Sequence, residues 1–379
     1  MPDLVTLEPE QVRRILALRD LTDPTLGHHA IQDLVDLVAR AVEERWPTTL
    51  RRRHANPIVT VADNYDRLGF SSDAVARDAR YSRYLTDELM LRTHTSAMLP
   101  LALEELARRP QADVTLLCPG MVYRRDAIDR QHVGEPHQLD LWRVAQGGAT
   151  SMAEEDLDAL VALTLDAVLP GWEWRTTPSP HPYTLAGRQV DVRDGETWVE
   201  VGECGLAHPD VLRDAGLPAS ASGLASGWGL DRLLMLAKGI DDVRLLRSAD
   251  PRIAAQMHDL EAYQPVSSMP PATRDLSLAM SGPPDVELLG DRLRTALGDD
   301  ARDVEAVEVL DVTPGDELPG AARARLGMVP EQCNVVVRVV LRALGRTLTS
   351  SEANRLRDRI YAVLHEGSVH HWAGDGPPA

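Results

Sequence analysis

The stretch GLASGWGLDRL, residues 223–233, constrains the fold more than any other part of the sequence. Its glycines do not follow the spacing that cradles a dinucleotide, so a Rossmann fold is not indicated. We predict instead a flexible glycine turn that leads into a helix at about residues 230–238. Arg232 lies in the first turns of that helix. An arginine held there can bind phosphate oxygens through its planar fork.

A second arginine site lies in YRRD, residues 123–126, which is followed by His132 and by HQLD, residues 137–140. Apolar stretches at 113–123 and 137–144 flank a charged loop, a pattern typical of two antiparallel strands. Loops of that length usually carry function. A lone arginine at the start of such a loop is ordinarily a surface ion pair. The second arginine, Arg232, is what favours a phosphate site.

Composition and charge indicate a globular protein of two or three domains. The net charge of −18 over 379 residues argues against a protein that coats nucleic acid indiscriminately. No apolar run is long enough to span a membrane, and residues 1–11 are acidic, unlike a signal or transit peptide. We therefore expect a cytoplasmic protein without a membrane partner. Three well separated cysteines predict buried thiols rather than a disulfide framework or a zinc site: Cys118, Cys204 and Cys333.

The C-terminal part is locally basic. Residues 321–359 contain eight arginines and three acidic residues. Such a patch can contact phosphates. A solvated face of an arginine-rich chain is an equally good interpretation from charge alone.

Periodicity predicts the remaining elements of the N-terminal part. Apolar residues at 31–46 recur at helical spacing, and a basic turn at 51–53 precedes a short strand at 56–61. Ser151 and Glu154 form a predicted capping box for a helix that ends at Pro170. Two further strands are predicted at residues 189–192 and 197–201.

A proline-rich linker at 261–271 precedes a second domain. There we predict strands at 275–280, 304–312 and 334–342. A helix is predicted at 286–297, and another is capped by Thr349 and Glu352. This order fits a small split βαβ sandwich.

Several of these motifs together resemble the catalytic subunits of phenylalanyl-tRNA synthetases. THTS at 93–96, the YRRD to HQ loop, and GLASGWGLDRL are similar to the amino-acid motif, motif 2 and motif 3 of that family, in the same order. WVEV at 198–201 and ECGLAHP at 203–209 also match. NPIVT at 56–60, with the preceding helix, resembles motif 1, which builds a subunit interface in the family. The resemblance covers about residues 27–367.

The resemblance implies an α+β fold, with a class II synthetase antiparallel sheet flanked by helices. RDLS at 274–277 and RTLTSSE at 346–352 resemble a C-terminal ferredoxin-like anticodon-binding domain, an order similar to the single-chain mitochondrial form. The implied domains are a catalytic domain at 1–262, a linker at 263–271, a ferredoxin-like α/β sandwich at 272–367 and a flexible tail at 368–379. Within the catalytic domain, motifs 1, 2 and 3 fall at about 27–61, 113–144 and 223–238.

The activity implied is ATP-dependent formation of an aminoacyl-adenylate, followed by acyl transfer to tRNA. The substrate carboxylate attacks the α-phosphorus, so catalysis consists of positioning and charge stabilisation. By matched position, Arg124 holds the α-phosphate, His132 and Arg232 contact the outer phosphates and the adenine side, and Asp126 orients Arg124 or the nucleotide. Glu200 is the candidate contact for Mg²⁺, which binds few carboxylates and several phosphate oxygens.

The matched amino-acid site divides into two parts. His94, Ser96, Gln138 and Asp140 hold the amino and carboxylate groups of the substrate. His181, Tyr183 and Ala225 line the side-chain pocket. In the second domain, three arginines are the candidate tRNA contacts: Arg338, Arg342 and Arg346.

The sequence departs from the family at positions that bear on the substrate. HPYT at 181–184 stands where the family has Phe-Pro-Phe-Thr, so the pocket gains two polar edges, and either phenylalanine or a polar aromatic analogue is expected. Pro136 replaces the aromatic residue that stacks on adenine. Asp140 replaces a glutamate, Leu99 replaces a glutamine, and LASG at 224–227 replaces a Phe-Ala-Phe-Gly wall.

Two alternatives remain open from the sequence. One is an adenylating enzyme that passes its acyl group to an acceptor other than tRNA, and the other is a non-catalytic tRNA-binding or regulatory protein. The oligomeric state is also open: motif 1 suggests a homodimer, whereas the mitochondrial-like layout suggests a monomer.

Overall fold

The computed structural model describes residues 6–79, 81–147, 151–266, 270–344 and 346–370. The chain divides into two compact units. The first unit comprises Met1–Arg124, Glu135–Asp241 and Ala255–Tyr263, and the second comprises Arg125–Gly134, Asp242–Ala254 and Gln264–Ala379.

The described residues of the first unit form ten strands. They are β1 (Thr49–Arg52), β2 (Ile58–Thr60), β3 (Arg83–Tyr84), β4 (Leu89–Leu91), β5 (Asp113–Met121), β6 (His137–Ala145), β7 (Trp174–Pro178), β8 (Thr184–Asp194), β9 (Thr197–Ala207) and β10 (Ser222–Gly229). Seven of them form one sheet in the order β1-β5-β6-β10-β9-β8-β7, in which β1 runs parallel to β5 and every other pair is antiparallel. The short strands β2, β4 and β3 form a separate sheet.

Seven α-helices belong to the first unit among the described residues. They are α1 (Pro9–Leu16), α2 (Ala30–Arg45), α3 (Val61–Asn64), α4 (Leu99–Arg108), α5 (Glu154–Val168), α6 (Pro209–Asp214) and α7 (Leu230–Lys238). Helices α2, α5 and α7 contact one another or the central strands β6, β9 and β10. The predicted helix at 31–46 is confirmed by α2, whose apolar residues are buried at helical spacing.

The glycine-rich stretch is a strand rather than the predicted turn. Residues 222–229 form β10, between β6 and β9, and α7 begins directly after it. Its glycines permit close packing. A Cβ on Gly223 would lie 2.9 Å from the carbonyl oxygen of Arg143 on β6, and β9 reaches equally close to β10, since a Cβ on Gly202 would lie 2.5 Å from the carbonyl oxygen of Gly227.

Two other predictions in this unit are wrong. The basic residues 51–53 are not a turn, because Arg51 and Arg52 belong to β1 and pair in parallel with β5. Ser151 does not cap a helix. Helix α5 begins at Glu154 after Ala153, whose N–H donates to the Asp156 carboxylate at 2.9 Å. The antiparallel pair predicted at 113–123 and 137–144 is confirmed by β5 and β6.

The second unit contains a three-stranded antiparallel sheet among its described residues. Its elements are α8 (Pro251–Ala254), β11 (Ala272–Met280), α9 (Val286–Leu297), β12 (Val304–Pro314), α10 (Gly320–Leu326), β13 (Cys333–Leu341) and α11 (Ser350–Leu364). The strand order is β11-β13-β12. The inward residues of β13 alternate with partly exposed ones and pack with α9 and α11 around one core. The capping box of Thr349 and Glu352 is present at the start of α11.

The units differ from the predicted domains in two segments. Residues 125–134 and 242–254, predicted as catalytic domain, group with the second unit, because Ile128 enters its core and the Arg130 carbonyl accepts from Val243 N–H at 2.8 Å. Residues 267–269 of the predicted linker and 371–379 of the predicted tail lie outside the described residues. Ser368, in the same predicted tail, is bonded to Gly327 through its N–H at 3.0 Å.

Within the described ranges, no helix is long and apolar enough to cross a membrane. The three cysteines are free and buried, as predicted.

Candidate active site

One face of the central sheet is lined with small residues. Residues directly opposite each other on antiparallel strands point to the same face. The register therefore places Gly229, Gly227 and Ala225 of β10 beside Gln138, Asp140 and Trp142 of β6. Because these β10 residues have little or no side chain, the larger side chains of β6 and β9 stand on either side of them. We call this strip, formed by Ala225, Gly227 and Gly229, the floor of the site.

Asp140 is the best-connected carboxylate on this floor. Its Oδ2 accepts from Thr95 Oγ at 2.7 Å, and its Oδ1 accepts from Ser96 Oγ at 2.9 Å and from Trp142 Nε1 at 3.3 Å. Asp140 is only 4% exposed. Burial raises the pKa of Asp140 to about 6, although these three donors oppose the shift. The site therefore brings the predicted residues Ser96 and Asp140 together.

His94 is stacked on the only phenylalanine of the chain. The ring centroids of His94 and Phe70 are 5.8 Å apart and nearly parallel, and Tyr65 meets His94 edge-on at 6.2 Å. Burial and the charge of Arg124 lower the pKa of His94 to about 3. His94 is thus a neutral ring at physiological pH.

Arg124 leaves β5 beside this aromatic group. Its Nε donates to the Thr93 carbonyl oxygen at 2.7 Å, which anchors the guanidinium next to the 93–96 motif. Burial lowers the pKa of His94 and the positive charge of Arg124 lowers it further, whereas the same charge opposes the rise that burial causes in the pKa values of Tyr183 and Glu200. Arg124 is therefore the cation common to the predicted amino-acid and nucleotide sites.

Arg232 is held at the start of α7. Its Nη1 donates to the Glu200 carbonyl oxygen at 2.6 Å. The preceding residue, Asp231, accepts from His137 Nδ1 at 2.9 Å and from the His137 N–H. His137 is fully buried. The start of β6 is thereby tied to the helix turn that carries Arg232.

Strand β9 contains a bulge directly after Glu200. Val190 pairs with Gly202 but Asp191 pairs with Glu200, so Val201 is the extra residue. Burial raises the pKa of Glu200, and the Arg232 charge opposes this shift. The structure shows no group of three acidic, histidine or cysteine side chains that could hold a metal, within the residues that it describes. Glu200 alone would have to share Mg²⁺ with phosphate oxygens, which suits this ion.

His181 and Tyr183 form one wall of a small cavity. Their rings stack at 5.6 Å, and Tyr183 also stacks on Trp142 at 6.3 Å. Burial raises the pKa of Tyr183 well above its ordinary value. The cavity brings together the predicted residues Asp140, His181, Tyr183 and Ala225 with six further ones: Trp142, Thr184, Glu203, Cys204, Ser226 and Gly227.

Three other predicted nucleotide residues have contacts within their own units. Asp126 and His132 belong to the second unit, where the Asp126 carbonyl accepts from Arg294 and His132 Nδ1 lies 2.7 Å from Asp129 Oδ2. Pro136 belongs to the first unit, where its carbonyl accepts from Val122 N–H at 2.8 Å. Their assignment to ATP remains a prediction.

The predicted tRNA arginines already have acidic partners. Arg338 forms two hydrogen bonds with Asp275, and Arg346 pairs with Glu352 at 2.9 Å. Arg342 pairs at 2.5 Å with the buried Glu305, which Arg130 also contacts. Arg342 is thus tied to a buried acid, whereas Arg338 and Arg346 are exposed, and the assignment of all three to tRNA remains a prediction.

Sequence reasoning missed four residues of the site: Thr95, Trp142, Phe70 and Glu203. Thr95 lies inside the recognised THTS motif. Trp142 lies two residues beyond Asp140 on the same strand, so the alternation of a strand indicates that both face the same side of the sheet. Phe70 stood out only as the single phenylalanine. Glu203 lies in the matched segment ECGLAHP, but its orientation depends on the bulge at Val201, which the sequence does not signal.

Residues 27–257 match the family model described as the tRNA synthetases class II core domain (F). This match spans more than half of the chain, and the chain belongs to that family. The predicted class II architecture, an antiparallel sheet flanked by helices, is thereby confirmed.

Named relatives are phenylalanine–tRNA ligases. The chain is 33% identical over 194 residues to a phenylalanine–tRNA ligase alpha subunit of Nostoc punctiforme, covering 51% of this chain and 56% of that one. It is 30% identical over 264 residues to an alpha subunit of Prochlorococcus marinus, covering 63% and 75%. A probable mitochondrial phenylalanine–tRNA ligase of Drosophila melanogaster is 26% identical over 363 residues, covering 80% and 75%. The chain thus spans little more than half of the first of these relatives.

Proposed function

We propose that this chain uses ATP to activate phenylalanine or a polar aromatic analogue as an aminoacyl-adenylate and then transfers the acyl group to tRNA. The observation that carries the proposal is the position of Arg124. Its guanidinium donates a hydrogen bond to the Thr93 carbonyl oxygen. Its positive charge interacts with both His94 and Glu200, which are the predicted amino-acid and magnesium residues.

The first step requires no protein nucleophile. An oxygen of the substrate carboxylate attacks the α-phosphorus of ATP, the bond to the β-phosphate oxygen breaks, and pyrophosphate leaves. Arg124 would stabilise the charge that develops on the α-phosphoryl oxygens, and Arg232 would contact the departing phosphates. Both side chains are fixed through backbone carbonyl acceptors, so little reorganisation is needed.

Asp140 is suited to the substrate ammonium group. Its oxygens are oriented by Thr95 and Ser96, and above its pKa of about 6 it carries a negative charge in a buried site. The neutral, stacked His94 ring would border the substrate without repelling that ammonium group. Glu200 would hold Mg²⁺, which would supply further charge neutralisation for the phosphates.

The acceptor of the acyl group is proposed to be tRNA. The named relatives are tRNA ligases, and this supports tRNA. A second candidate, transfer to an acceptor other than tRNA, is favoured by the acidic partners of Arg338, Arg342 and Arg346, which reduce the positive charge available to phosphates. Monomeric and homodimeric states are both compatible with the proposal.

The test is amino-acid-dependent exchange of labelled pyrophosphate into ATP, followed by acylation of total tRNA from the source organism. Exchange with an aromatic amino acid and a stable acyl-tRNA would support the proposal. Exchange without acyl-tRNA would favour the second candidate. No exchange with any amino acid would leave a non-catalytic binding role.

A further inference from the structure

The cavity behind Asp140 contains a carboxylate that the proposed reaction does not use. Glu203 lines it together with His181 and Tyr183. Its Oε1 lies 2.8 Å from Nε2 of His181, and its side chain is 39% exposed. In the described part of the chain, no other hydrogen-bond or ion-pair partner of the Glu203 side chain is present. Asp140, by contrast, is occupied by three donors.

The backbone directs Glu203 into the cavity. After the bulge at Val201, Glu203 lies directly opposite Gly227 of β10, and both therefore face the floor. Gly227 has no side chain, and a Cβ there would meet nothing closer than Asp140 Oδ2 at 3.9 Å. The space beside Glu203 is therefore left open by its cross-strand neighbour.

The surroundings of Glu203 are aromatic. His181 and Tyr183 stack on each other, and Tyr183 stacks on Trp142. The charge of Glu203 is strong enough at this position to contribute to the raised pKa of both Asp140 and Tyr183. An aromatic ring bound against this wall would have a charged hydrogen-bond acceptor beside it.

We propose that Glu203, held by His181, determines specificity by accepting a hydrogen bond from a hydroxyl or amino group on the ring of the aromatic amino acid. This inference rests on the proposed function. An unsubstituted phenyl ring would strip water from the carboxylate without replacing its hydrogen bond. A site built around a polar partner discriminates against analogues that lack it. Because Glu203 keeps His181 and some solvent, we expect discrimination of about 10- to 100-fold rather than the larger values of fully buried sites.

The experiment measures kcat/KM for pyrophosphate exchange with the full chain and four substrates: phenylalanine, tyrosine, meta-tyrosine and 4-aminophenylalanine. The variants are Glu203→Gln, which keeps the size of the side chain and removes its charge, and Glu196→Gln as a matched control. Glu196 is exposed in the turn between β8 and β9. Thermal melting of each variant checks folding.

We expect the wild-type chain to prefer at least one donor-bearing substrate over phenylalanine by about tenfold or more. Glu203→Gln should lower that ratio by about tenfold, and Glu196→Gln should not change it. The hydroxyl and amino substrates distinguish a phenol from an aniline as the donor.

Three results would overturn the inference. A wild-type preference for phenylalanine would do so while leaving the proposed function intact, and this result does not depend on the folding of any variant. If Glu203→Gln lowers kcat/KM equally for all four substrates, Glu203 contacts a group that all amino acids share rather than a ring substituent. No exchange with any amino acid would overturn the proposed function and the inference with it.

Discussion

His137 donates from Nδ1 to Asp231 Oδ1 at 2.9 Å, and this bond joins the start of strand β6 to the first turn of helix α7. The Leu21 N–H donates to Nε2 of the same ring at 3.1 Å, so the ring proton is carried on Nδ1. Each residue directly precedes a site residue in the sequence: His137 precedes Gln138, and Asp231 precedes Arg232. The pair thus couples the amino-acid floor to the motif 3 arginine.

Asp231→Asn should weaken ATP use more than amino-acid use. The variant removes the charge that holds the buried His137 ring, a loss of about 1–3 kcal/mol in that interaction. We expect Arg232 to lose its fixed position, and KM for ATP in pyrophosphate exchange should rise about tenfold while KM for the amino acid changes little. Asp166→Asn, on the exposed side of α5, is the control. Parallel changes in both KM values would indicate a structural role alone.

Amino-acid binding should improve as the pH rises through about 6. The pKa of Asp140 is raised by burial to about 6, so its carboxylate becomes charged only above that value. A charged carboxylate attracts the substrate ammonium group, and KM for the amino acid should therefore fall between pH 5 and about pH 7. His94, with a pKa of about 3, does not titrate in this range. A pH-independent KM, or the same pH profile in Asp140→Asn, would contradict this assignment.

The same shift has the opposite sign for stability. The pKa of Asp140 is higher in the folded chain than its ordinary value of 3.8, so the folded state holds the proton more tightly. This contribution to the free energy of unfolding is present below pH 4 and is lost as the pH rises towards 6. Asp140→Asn should remove that pH dependence in urea unfolding.

Glu305→Gln should destabilise the second unit. Glu305 is 4% exposed and is contacted by Arg130, Arg244 and Arg342, so the variant would remove one buried negative charge that three guanidinium groups share. We expect a loss of about 3 kcal/mol in the free energy of unfolding, measured by urea denaturation. Asp275→Asn, which breaks the exposed pair with Arg338, should cause little change. Equal effects of the two variants would show that Glu305 is not a structural centre.

Arg338→Ala with Arg346→Ala should weaken tRNA binding and reduce its dependence on salt. Both side chains are on the surface, and removing each arginine–phosphate ion pair should lower the slope of log affinity against log salt by about 1. Pyrophosphate exchange should be unaffected. Arg342→Ala is expected to act through stability instead, because Arg342 pairs with Glu305. An unchanged salt slope in a filter-binding assay would remove both arginines from the tRNA surface.

Local patterns were sufficient to predict elements whose residues alternate or recur strongly. The helix at 31–46, the pair β5 and β6, and the helix at 286–297 follow directly from their apolar spacing. The glycine-rich stretch was wrongly predicted to be a turn, because glycine occurs both in turns and in closely packed strands. Only the close approach of the neighbouring strand reveals which role applies, since a Cβ on Gly223 would lie 2.9 Å from the Arg143 carbonyl oxygen.

The candidate site was predictable where short motifs carry it. Ser96 and Asp140 were predicted separately and are joined by a hydrogen bond of 2.9 Å. Glu203 was not predictable, since simple alternation from Glu200 would place it on the opposite face and the bulge at Val201 reverses this. The contact of Phe70 with His94 is equally non-local, because the two residues belong to different segments brought together by packing.

The most direct test of the central claim is pyrophosphate exchange by Arg124→Ala, with Arg213→Ala, at an exposed residue of helix α6, as the control. If Arg124 stabilises the transition state at the α-phosphate, Arg124→Ala should lose about 10²- to 10³-fold or more in kcat, with an unchanged melting temperature. Arg213→Ala should retain wild-type exchange. Exchange by Arg124→Ala at the wild-type rate would contradict the proposed phosphate site and, with it, the proposed mechanism.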